Sequence, residues 1–497
     1  MGVSVEILLA IVAVIVLLYY YFASAYNFWS SRGIKGPKPS PPLGNIAEIL
    51  MGKHNPGTYL QMLYNEYPDE PIVGIYRVRE PIACINDLDL IKDVLIKDFS
   101  KFVDRGTEMY ENHEPLSINI FNLEPKRWRM LRTKLSPIFT SGKLRDMFHL
   151  IVNCSESMGK YLEKHDNEVI DIRELSAKFA TDVIGVYAFG LKANALEDEN
   201  SLFRQIGRHM FEVKWTTAGR NLLGTFLPTI YRMIGYIMRD DKTHDFLINV
   251  TKETLEYRQK NNIVRNDFID LLLGIKNQGK MIDDVEITDN LLAAQLLIFF
   301  VGGFETTSST MSHTLYELAI NQHCQDRLRQ EITEQLEKTN GQITYDSIKE
   351  MKYLNQVYHE SLRKHPALMM FTRRCTEPYT FARTNVSVPA NTKVWIPLYA
   401  IQWDPKYWPN PEVFDPERFS EENIKNRHPM AFLALGDGPR NCIGARFGAY
   451  QVKVGITKLL SEYKVEVCEK TDLTHELNRR GFLLVPKNGI HLRVKKI

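Results

Sequence analysis

The sequence predicts a mainly α-helical fold with a small β-sheet region, preceded by one N-terminal transmembrane helix. Residues Ile7 to Tyr26 form a nearly uninterrupted apolar stretch, about long enough to cross a hydrocarbon core of ~30 Å as a helix. Ile287 to Ala319 is the longest helical stretch, and its middle is apolar almost all round, as expected of a helix buried in a large core. Short alternating segments around Ile72–Arg77 and Pro81–Ile85 predict the strands of a small sheet.

The composition indicates one large domain and argues against several classes of function. The chain has 497 residues, with no linker-like run inside it and no repeat of fixed period. A net charge of +2 argues against a general attraction to nucleic acid. The six cysteines are widely spaced and form no C-x-x-C pair, which disfavours both a zinc site and a disulfide scaffold. A reducing compartment fits this pattern.

Residues 1–29 are predicted to be a membrane anchor. Arg32, Lys35 and Lys38 follow the apolar stretch, so the positive-inside bias places the rest of the chain in the cytoplasm. A cleaved signal peptide is the alternative, but a long apolar run without a preceding basic residue favours a retained anchor. Aromatic residues gather at the far end of the stretch, as in an interfacial aromatic belt: Tyr19, Tyr20, Tyr21, Tyr26, Phe28 and Trp29.

Residues 30–45 are predicted to be a proline-rich hinge, and residues 46–497 the functional domain. The hinge cannot form a helix, because the four prolines between Gly36 and Leu43 remove backbone donors and fix φ. A stiff, polyproline-like spacer would set the angle of the domain on the membrane. A plain linker is the alternative.

The predicted core helix contains two glycines, Gly302 and Gly303, followed by Glu305 and Thr306. Each glycine inside a helix costs about 1 kcal/mol relative to alanine, so the pair needs a reason. The absence of two Cβ atoms leaves room for a ligand against the helix and permits a local kink. A carboxylate and a hydroxyl would then lie beside that gap. A tolerated glycine pair in an ordinary core helix is the alternative.

The stretch from Ala434 to Phe447 surrounds Cys442 with glycines, which let backbone pass close to a flat ligand. The apolar pattern that follows predicts a helix beginning at the cysteine. A helix N-terminus lowers the pKa of a thiol and favours the thiolate. Such a thiolate, with Arg440 two residues before it, is suited to bind haem iron with a propionate nearby. A buried core cysteine is the alternative.

This stretch resembles the haem-ligand loop of the cytochrome P-450 family, whose pattern is Phe-x-x-Gly-x-Arg-x-Cys-x-Gly. Gly438, Arg440, Cys442 and Gly444 match that pattern, and Gly436 matches the glycine after the Phe. The resemblance implies the cytochrome P-450 fold and haem b, iron protoporphyrin IX, with Cys442 as the axial ligand of the iron. One departure touches the haem site, since Leu435 stands where the family has Phe; the usual tuning of the haem potential is therefore in question.

The glycine pair of the core helix is similar to the oxygen-activation motif of the same family. By this resemblance Gly302 leaves room beside the haem. Thr306 holds water and passes protons toward dioxygen, and Glu305 helps to supply them.

Four residues are implied as partners of the haem propionates. Trp128 and Arg132 are four apart and hence on one helix face, and in the family such a pair holds a propionate. The segments FVDRG and LSPIFTSGKLRDMF look like the branch of insect family-six and vertebrate family-three detoxification enzymes. In that branch Arg105 and Arg373 are further propionate partners, with Arg374 the less favoured choice.

Glu360 and Arg363 lie three apart on a predicted helix that ends before Pro366. An isolated pair of this kind would be a solvated surface bridge. In the family it is the buried Glu-x-x-Arg pair, joined by an arginine from a later Pro-Glu-Arg-Phe segment, here Arg418. The resemblance implies a structural role for these three residues.

Substrate contacts are implied at several apolar positions. The region from Leu202 to Met238 covers the active site in the family, although ordinary core packing explains its pattern equally well. The C-terminal stretch predicts a hairpin turning at Asn488-Gly489, with an apolar tip near the substrate. The candidate substrate residues are Phe121, Phe211, Val301, Leu368, Met369 and Leu483.

The resemblance implies a monooxygenase on the cytosolic face of the endoplasmic reticulum, acting on small lipophilic substrates. Electrons would come from NADPH through a flavoprotein reductase, with cytochrome b5 as a further candidate partner. A haem-thiolate isomerase or dehydratase and a non-catalytic, membrane-anchored binder of hydrophobic compounds are the alternatives. A basic patch suits an acidic partner, although solvated helix faces also carry such residues: Lys126, Arg127, Arg129, Lys134 and Lys143.

Overall fold

A computed structural model of the chain confirms the predicted fold class, which is mainly α-helical with small sheets and a long apolar N-terminal helix. It describes residues 2–211, 219–220, 223–224, 227–238, 241–265, 267–479, 481 and 483–497. Helix α1 (Gly2–Ala23) is exposed between Val5 and Tyr21. By length and composition it is a candidate membrane span.

The remaining helices form the bulk of the domain around one central helix, α13 (Asp289–Ile320). The helices before it are α2 (Ala47–Leu50), α3 (Pro56–Glu66), α4 (Leu88–Lys92), α5 (Pro125–Leu135), α6 (Ser141–Asp146), α7 (Phe148–Lys164), α8 (Ile172–Ile184), α9 (Leu202–Phe211), α10 (Pro228–Ile234), α11 (Asp241–Asn261) and α12 (Phe268–Lys276). The helices after it are α14 (Gln322–Lys338), α15 (Tyr345–Glu350), α16 (Lys352–Lys364), α17 (Leu398–Gln402), α18 (Glu421–Lys425) and α19 (Ala445–Glu462).

The strands are short and form small sheets at the periphery. They are β1 (Ile72–Arg77), β2 (Glu80–Ile85), β3 (Val169–Asp171), β4 (Met281–Ile282), β5 (Val285–Glu286), β6 (Phe371–Arg374), β7 (Tyr379–Thr380), β8 (Ser387–Val388), β9 (Lys393–Ile396), β10 (Tyr463–Glu466) and β11 (His491–Lys496). The largest sheet has the order β1-β2-β9-β6, in which β2 and β9 are parallel and the other neighbours antiparallel. It places Arg373 opposite Val394.

Helix α13 is buried over most of its surface, as its apolar sequence predicts, and is exposed at Gly302. It begins where the Thr288 hydroxyl accepts a hydrogen bond from the Leu291 N–H, an N-cap that satisfies one free donor of the first turn. Its middle packs against α8, and the contact is close because Gly303 has no side chain. A Cβ built on Gly303 would lie 2.6 Å from Cδ1 of Ile184.

The C-terminal hairpin predicted at Asn488-Gly489 is wrong. A turn is present there, and Gly489 has the positive φ of 71° that such a turn favours. The strand after the turn, β11, pairs instead with β10 and β3. In the described residues before the turn, only single bridges form, Leu368 to Leu483 and Leu477 to Pro486. The tip of this segment therefore rests on the residues before β6.

The assignment of Trp29 to an interfacial aromatic belt is also wrong. Trp29 is only 2% exposed, and its indole N–H donates to the Ile75 carbonyl over 3.0 Å. Its ring fills the space above Gly74, where an added Cβ would lie 2.3 Å from the indole. The Tyr76 hydroxyl donates to the Tyr26 carbonyl in the same region. Residues 26–29 are thus packed onto the first sheet, and the anchor boundary predicted at residue 29 falls inside this packing.

Candidate active site

The loop around Cys442 is held by two glycines in left-handed backbone conformations. Gly436 and Gly438 have φ values of 71° and 73°, which L side chains rarely adopt. A Cβ on Gly438 would also lie 1.9 Å from the Leu95 carbonyl oxygen. The Cys442 N–H donates to the carbonyl of Leu435 over 2.9 Å, which closes the loop. The sequence of the loop therefore determines its backbone closely.

The helix predicted to begin at Cys442 begins three residues later, at Ala445. Cys442 is exposed, yet the surrounding protein desolvates its sulfur, and this burial raises the pKa of the thiol. The Gly444 N–H, Arg132 and Arg105 lower that pKa without overcoming the desolvation. The expected thiolate at a helix N-terminus is therefore not what the polypeptide alone provides. A bound metal cation would itself deprotonate the thiol.

Arg440, two residues before the cysteine, is buried and bound by main-chain oxygens. It is 2% exposed and donates to the carbonyls of Val103 and Leu123, and more weakly to that of Phe121. Its guanidinium lies 4.9 Å from the ring centre of Trp128, close enough for a cation–π contact. The resemblance places Arg440 and Trp128 near the haem propionates, and in the structure the two side chains are in contact.

Arg105 and Arg132 approach the same loop from two other segments. Arg105 donates to the carbonyls of Phe121 and Arg440, each over 3.1 Å. Arg132, on α5, donates to both the main-chain and side-chain oxygens of Asn441. These contacts place two further guanidinium groups beside the residue that precedes the cysteine. Asn441 was missed by the sequence interpretation, since the family pattern leaves that position open.

Arg373 and Arg374 have different partners. Arg374 forms an ion pair with Asp104 at 2.6 Å and a second with Glu108 at 3.2 Å. Arg373 is 3% exposed, and among the described residues it donates only to the Thr372 carbonyl, while its Nε atom has no hydrogen-bond partner. Arg374 is therefore occupied by carboxylates, whereas Arg373 retains donor capacity for a ligand.

Four guanidinium groups thus gather near Cys442, and in the described part of the chain none of them forms an ion pair with a carboxylate: Arg105, Arg132, Arg373 and Arg440. Burial, together with the neighbouring Arg373, lowers the pKa of Arg440 to about 9, and burial lowers that of Arg373 to about 10. Burial and the neighbouring arginines lower the pKa of Arg105. Because guanidinium groups stay protonated in proteins, this arrangement costs free energy that bound anions would offset.

These residues fit a haem group. Its two propionates would supply the anions that the arginines lack, and the unpartnered Nε atoms of Arg373 and Arg440 are donors available to them. Cys442, an exposed residue, supplies the sulfur that a haem-thiolate site requires. The predicted propionate and ligand residues therefore lie together, although their roles stay predictions.

The glycine pair of α13 has two different surroundings. In the described structure Gly302 is exposed, and nothing lies within 4 Å of a Cβ built on it, whereas Gly303 packs against α8. The Thr306 hydroxyl lies one turn after Gly302 and donates to its carbonyl over 2.6 Å. Gly448 on α19 lies beside the next residue, Thr307, with a built Cβ 3.6 Å from the threonine Oγ1. The open face of α13 thus adjoins the helix that follows Cys442.

Glu305, which the sequence predicts beside the gap at Gly302, is bound to a residue of α8. It is 4% exposed and its carboxylate is bound by the guanidinium of Arg173, on α8. Its participation in proton supply stays a prediction. Arg173 is a residue that the sequence interpretation missed, because nothing in the pattern of α8 indicates which of its residues faces α13.

Glu360, Arg363 and Arg418 come together in the core. Glu360 and Arg363 are both fully buried, and two parallel hydrogen bonds of 2.8 Å join them. Arg418, in the short turn Pro416–Phe419, lies 3.4 Å from the same carboxylate. The Asp415 N–H donates to Glu360 as well. This network ties α16 to the segment that leads into the cysteine loop.

The candidate substrate residues differ in burial and in the side chains that they contact. Phe121 lies under the Arg105 guanidinium, 4.0 Å from ring centre to Cζ. Met369 is 2% exposed and packs on Gly57, whose built Cβ would lie 2.2 Å from the methionine Cβ. It therefore belongs to the packing between α3 and β6.

The other candidates have more open surroundings. Val301 and Leu483 are partly exposed, and Leu368 is bridged to Leu483. Phe211 is the last residue of α9, and its side chain lies outside the described part of the structure. Much of the predicted covering region, Leu202 to Met238, lies outside the described residues too.

Comparison with known proteins agrees with this geometry. The family model described as Cytochrome P-450 matches residues 34–493. Probable cytochrome P-450 6a14 of Drosophila melanogaster is 39% identical, over 95% of this chain and 96% of its own length. Cytochrome P-450 6k1 of Blattella germanica is 37% identical over 96% and 94%, and cytochrome P-450 6A1 of Musca domestica 39% identical over 95% and 94%. All three are similar to this chain from end to end.

Proposed function

Because the chain belongs to the cytochrome P-450 family, we propose that it is a haem-thiolate monooxygenase dependent on NADPH and a flavoprotein reductase. It inserts one oxygen atom from O2 into lipophilic substrates, namely xenobiotics, insecticides and plant secondary compounds. The observation that carries the proposal is the group of four buried or half-buried arginines around Cys442 without carboxylate partners.

In this proposal different residues bind the iron and the propionates of the haem. Cys442 binds the iron through its thiolate, and the arginines near it, with Trp128, hold the propionates. Gly302 keeps the face of α13 open to the haem and the substrate. When bound, haem supplies the iron at which O2 is activated, and a thiolate ligand favours cleavage of the O–O bond.

Protons reach the reacting oxygen through the open face of α13. Thr306 Oγ1 relays a proton from water, and in the structure this hydroxyl is already directed along the helix toward the Gly302 carbonyl. Glu305 supplies protons only when its carboxylate leaves Arg173, so that ion pair restrains the supply. Thr306 is therefore the residue whose loss should have the more direct effect.

The proposal also includes the membrane location of the protein and the docking site of its electron donor. Helix α1 anchors the protein in the endoplasmic reticulum membrane, with the domain on the cytosolic face. The reductase, and cytochrome b5 as a further donor, would dock on the basic patch near the cysteine loop. Within that patch Lys126 and Arg127 contact acidic residues, whereas Arg129 is exposed. Arg129 is thus the most accessible of the five to an acidic partner.

The first test is the absorption spectrum of the dithionite-reduced protein with carbon monoxide. We expect the red-shifted Soret band of a thiolate-ligated adduct, and its loss in Cys442→Ala. A band at the shorter wavelength of a neutral thiol or imidazole ligand would contradict the role of Cys442. With reductase present, substrate-dependent consumption of NADPH separates a monooxygenase from an isomerase, a dehydratase or a simple binder.

Thr306→Ala tests the proton relay. We expect the variant to consume NADPH but to release more hydrogen peroxide and less product, because a positioned proton donor contributes about 10²–10⁴-fold to such steps. The ratio of product to NADPH is the measurement. Thr310→Ala is the matched control, since Thr310 lies one turn later and its hydroxyl bonds to the i−4 carbonyl in the same way. An unchanged ratio in Thr306→Ala would show that this hydroxyl passes no proton.

A further inference from the structure

Three histidines far apart in the sequence meet where α13, α16 and the C-terminal segment come together. His313 lies on α13, His365 caps the C-terminus of α16, and His475 lies between β10 and β11. Their ring centres are 4.6 to 5.0 Å apart. One nitrogen from each ring lies within 4.8 Å of the others. None of these residues takes part in the site described above.

Buried imidazole nitrogens without partners point to a ligand at this place. His313 is fully buried and His365 is 5% exposed, while His475 is half-buried. The Nε2 atoms of His313 and His475 are enclosed by protein and have no hydrogen-bond partner in the described structure. A buried polar atom without a partner costs free energy, so it needs a compensating contact.

The neighbours of two of the rings determine which nitrogen of each ring carries a lone pair. His313 Nδ1 lies 2.6 Å from the Ser309 carbonyl oxygen, which only accepts, so Nδ1 carries the proton and Nε2 the lone pair. His365 Nε2 lies 2.6 Å from the Glu317 carboxylate, which leaves Nδ1 of that ring as its free lone pair. A carboxylate or carbonyl behind each imidazole is the usual arrangement around metal-binding histidines.

The backbone of the third residue is held in an unusual conformation. His475 has a φ of 50°, in the left-handed region that few side chains adopt. The segment around it is attached to α13 at two points. The Tyr316 hydroxyl donates to the Asp472 carbonyl, and the Ser309 hydroxyl donates to the Leu484 carbonyl. These contacts hold His475 against the other two rings.

We propose that His313, His365 and His475 bind one zinc ion, with Glu317 orienting the imidazole of His365. Three histidines with a water molecule as fourth ligand form a familiar tetrahedral zinc site. Ligand nitrogens in such a site are about 3.3 Å apart, given Zn–N distances of about 2.0–2.1 Å. In the structure the candidate ligand nitrogens are up to 4.8 Å apart, and a small shift of the segment that carries His475 would shorten these distances.

Charged groups of both signs surround the cluster. Glu317 is bound by Lys364 as well as by His365. The charged groups that face the cluster are Arg173 on α8, Glu317 on α13, Arg363 and Lys364 on α16, and Asp472 on the C-terminal segment.

The bound ion would fasten the C-terminal segment to two helices of the active site. His313 lies two turns after Thr306 on the same helix, and His475 precedes Leu483 by eight residues. This site has no local sequence signature, because the three histidines follow no spacing pattern and the zinc interpretation considered from the sequence rested on cysteines. Only the packing of α13, α16 and the C-terminal segment brings them together.

The test measures zinc binding by the full-length, haem-loaded protein. Zinc is added after a chelator has removed bound metal, and the protein is then passed through gel filtration in zinc-free buffer. We expect about one zinc per haem iron to stay bound. Zinc should also raise the Tm, because a ligand of the folded state stabilises it. X-ray absorption at the zinc edge should show nitrogen ligands at about 2.0 Å with imidazole scattering. No retained zinc, or zinc with a different ligand shell, would overturn the proposal.

Two variants and a control complete the test. His475→Asn removes one ligand but keeps a residue type that tolerates a positive φ, and it should abolish retention of zinc and the zinc-dependent rise in Tm. Glu317→Gln should weaken binding about 10–100-fold. His149→Asn makes the same change at an exposed histidine of α7 and should bind zinc as the wild type does. Unchanged binding in His475→Asn would mean that zinc binds elsewhere, which would overturn the proposal.

Discussion

At the scale of single residues, His359 is one buried histidine through which the stability of the protein depends on pH. Burial, with a smaller effect of Lys453, lowers the pKa of His359 to about 4, although the Asn355 carbonyl favours the charged form. The ring lies 5.4 Å from the ring centre of Phe419 and is nearly parallel to it. A histidine in an unfolded chain has a pKa of about 6.5. The folded protein therefore keeps this imidazole neutral where the unfolded chain is protonated.

The stabilising contribution of neutral His359 is fully present above pH 6.5 and is lost as the pH falls from 6.5 toward 4. Since the unfolded chain binds the extra proton, the contribution of His359 to the free energy of unfolding should fall by about 2 kcal/mol between pH 7 and pH 5. Urea unfolding of the wild type and of His359→Phe at both pH values measures this difference. The aromatic variant keeps the packing and does not titrate. Equal losses in the two proteins would show that His359 is not the group responsible.

The glycines of α13 show what the sequence can and cannot predict at this scale. A glycine pair inside a helix is unusual enough to predict a functional position. The two residues look equivalent in the sequence, yet Gly302 faces open space and Gly303 faces Ile184. Which one serves the ligand depends on the packing of α8, and no local pattern specifies that.

At the scale of elements, the long helices could be predicted more closely than the loop structure around them. The apolar stretch Ile287 to Ala319 predicts α13 to within two residues at each end, because burial of most of the helix leaves a clear sequence signal. The helix after Cys442 begins three residues later than predicted, at Ala445. Glycine-rich loops carry no periodicity, so the helix start there is set by the fold of the loop.

Arg363→Ala tests the network that ties α16 to the cysteine loop. The change leaves the Glu360 carboxylate buried without its bidentate partner, and burial already raises the pKa of that carboxyl. Removing one member of a buried pair costs about 3–5 kcal/mol. We expect a lower urea midpoint and faster loss of haem, both of which are measured by absorption spectroscopy.

The control for this change is Lys352→Ala on the same helix. Lys352 and Glu421 are 3.6 Å apart, and both side chains are 84% exposed. A surface pair of this kind contributes about 0–1 kcal/mol. Equal effects of the two substitutions would contradict the importance of the buried network.

At the scale of the whole molecule, the end of the predicted anchor packs onto the domain, which the sequence does not indicate. The sequence predicts an apolar anchor and a proline-rich hinge from local composition. It does not show that Trp29 packs into the domain. The Trp29 ring fills the space that a side chain would occupy at Gly74, which is 45 residues away. Contacts between distant segments of this kind have no local signature.

Trp29→Ala should loosen this packing. Replacing a buried tryptophan by alanine costs about 3–5 kcal/mol, and here the loss falls on the segment between α1 and β1. We expect faster cleavage by trypsin after Arg32 and Lys35 in the membrane-bound protein. Tyr20→Ala is the control, because Tyr20 is an aromatic residue of α1 that is 67% exposed. If the two variants are cleaved at equal rates, Trp29 does not fix the segment.

The position of Trp29 also has a practical consequence for anyone who prepares a soluble form of the protein. Truncation at the anchor boundary that the sequence suggests would delete Trp29 and Tyr26 and expose the apolar surface around Gly74 and Ile75. Truncation after Ala23, where α1 ends, removes the membrane helix and keeps both aromatic residues. The longer form should therefore be the more soluble of the two and the better candidate for crystallisation.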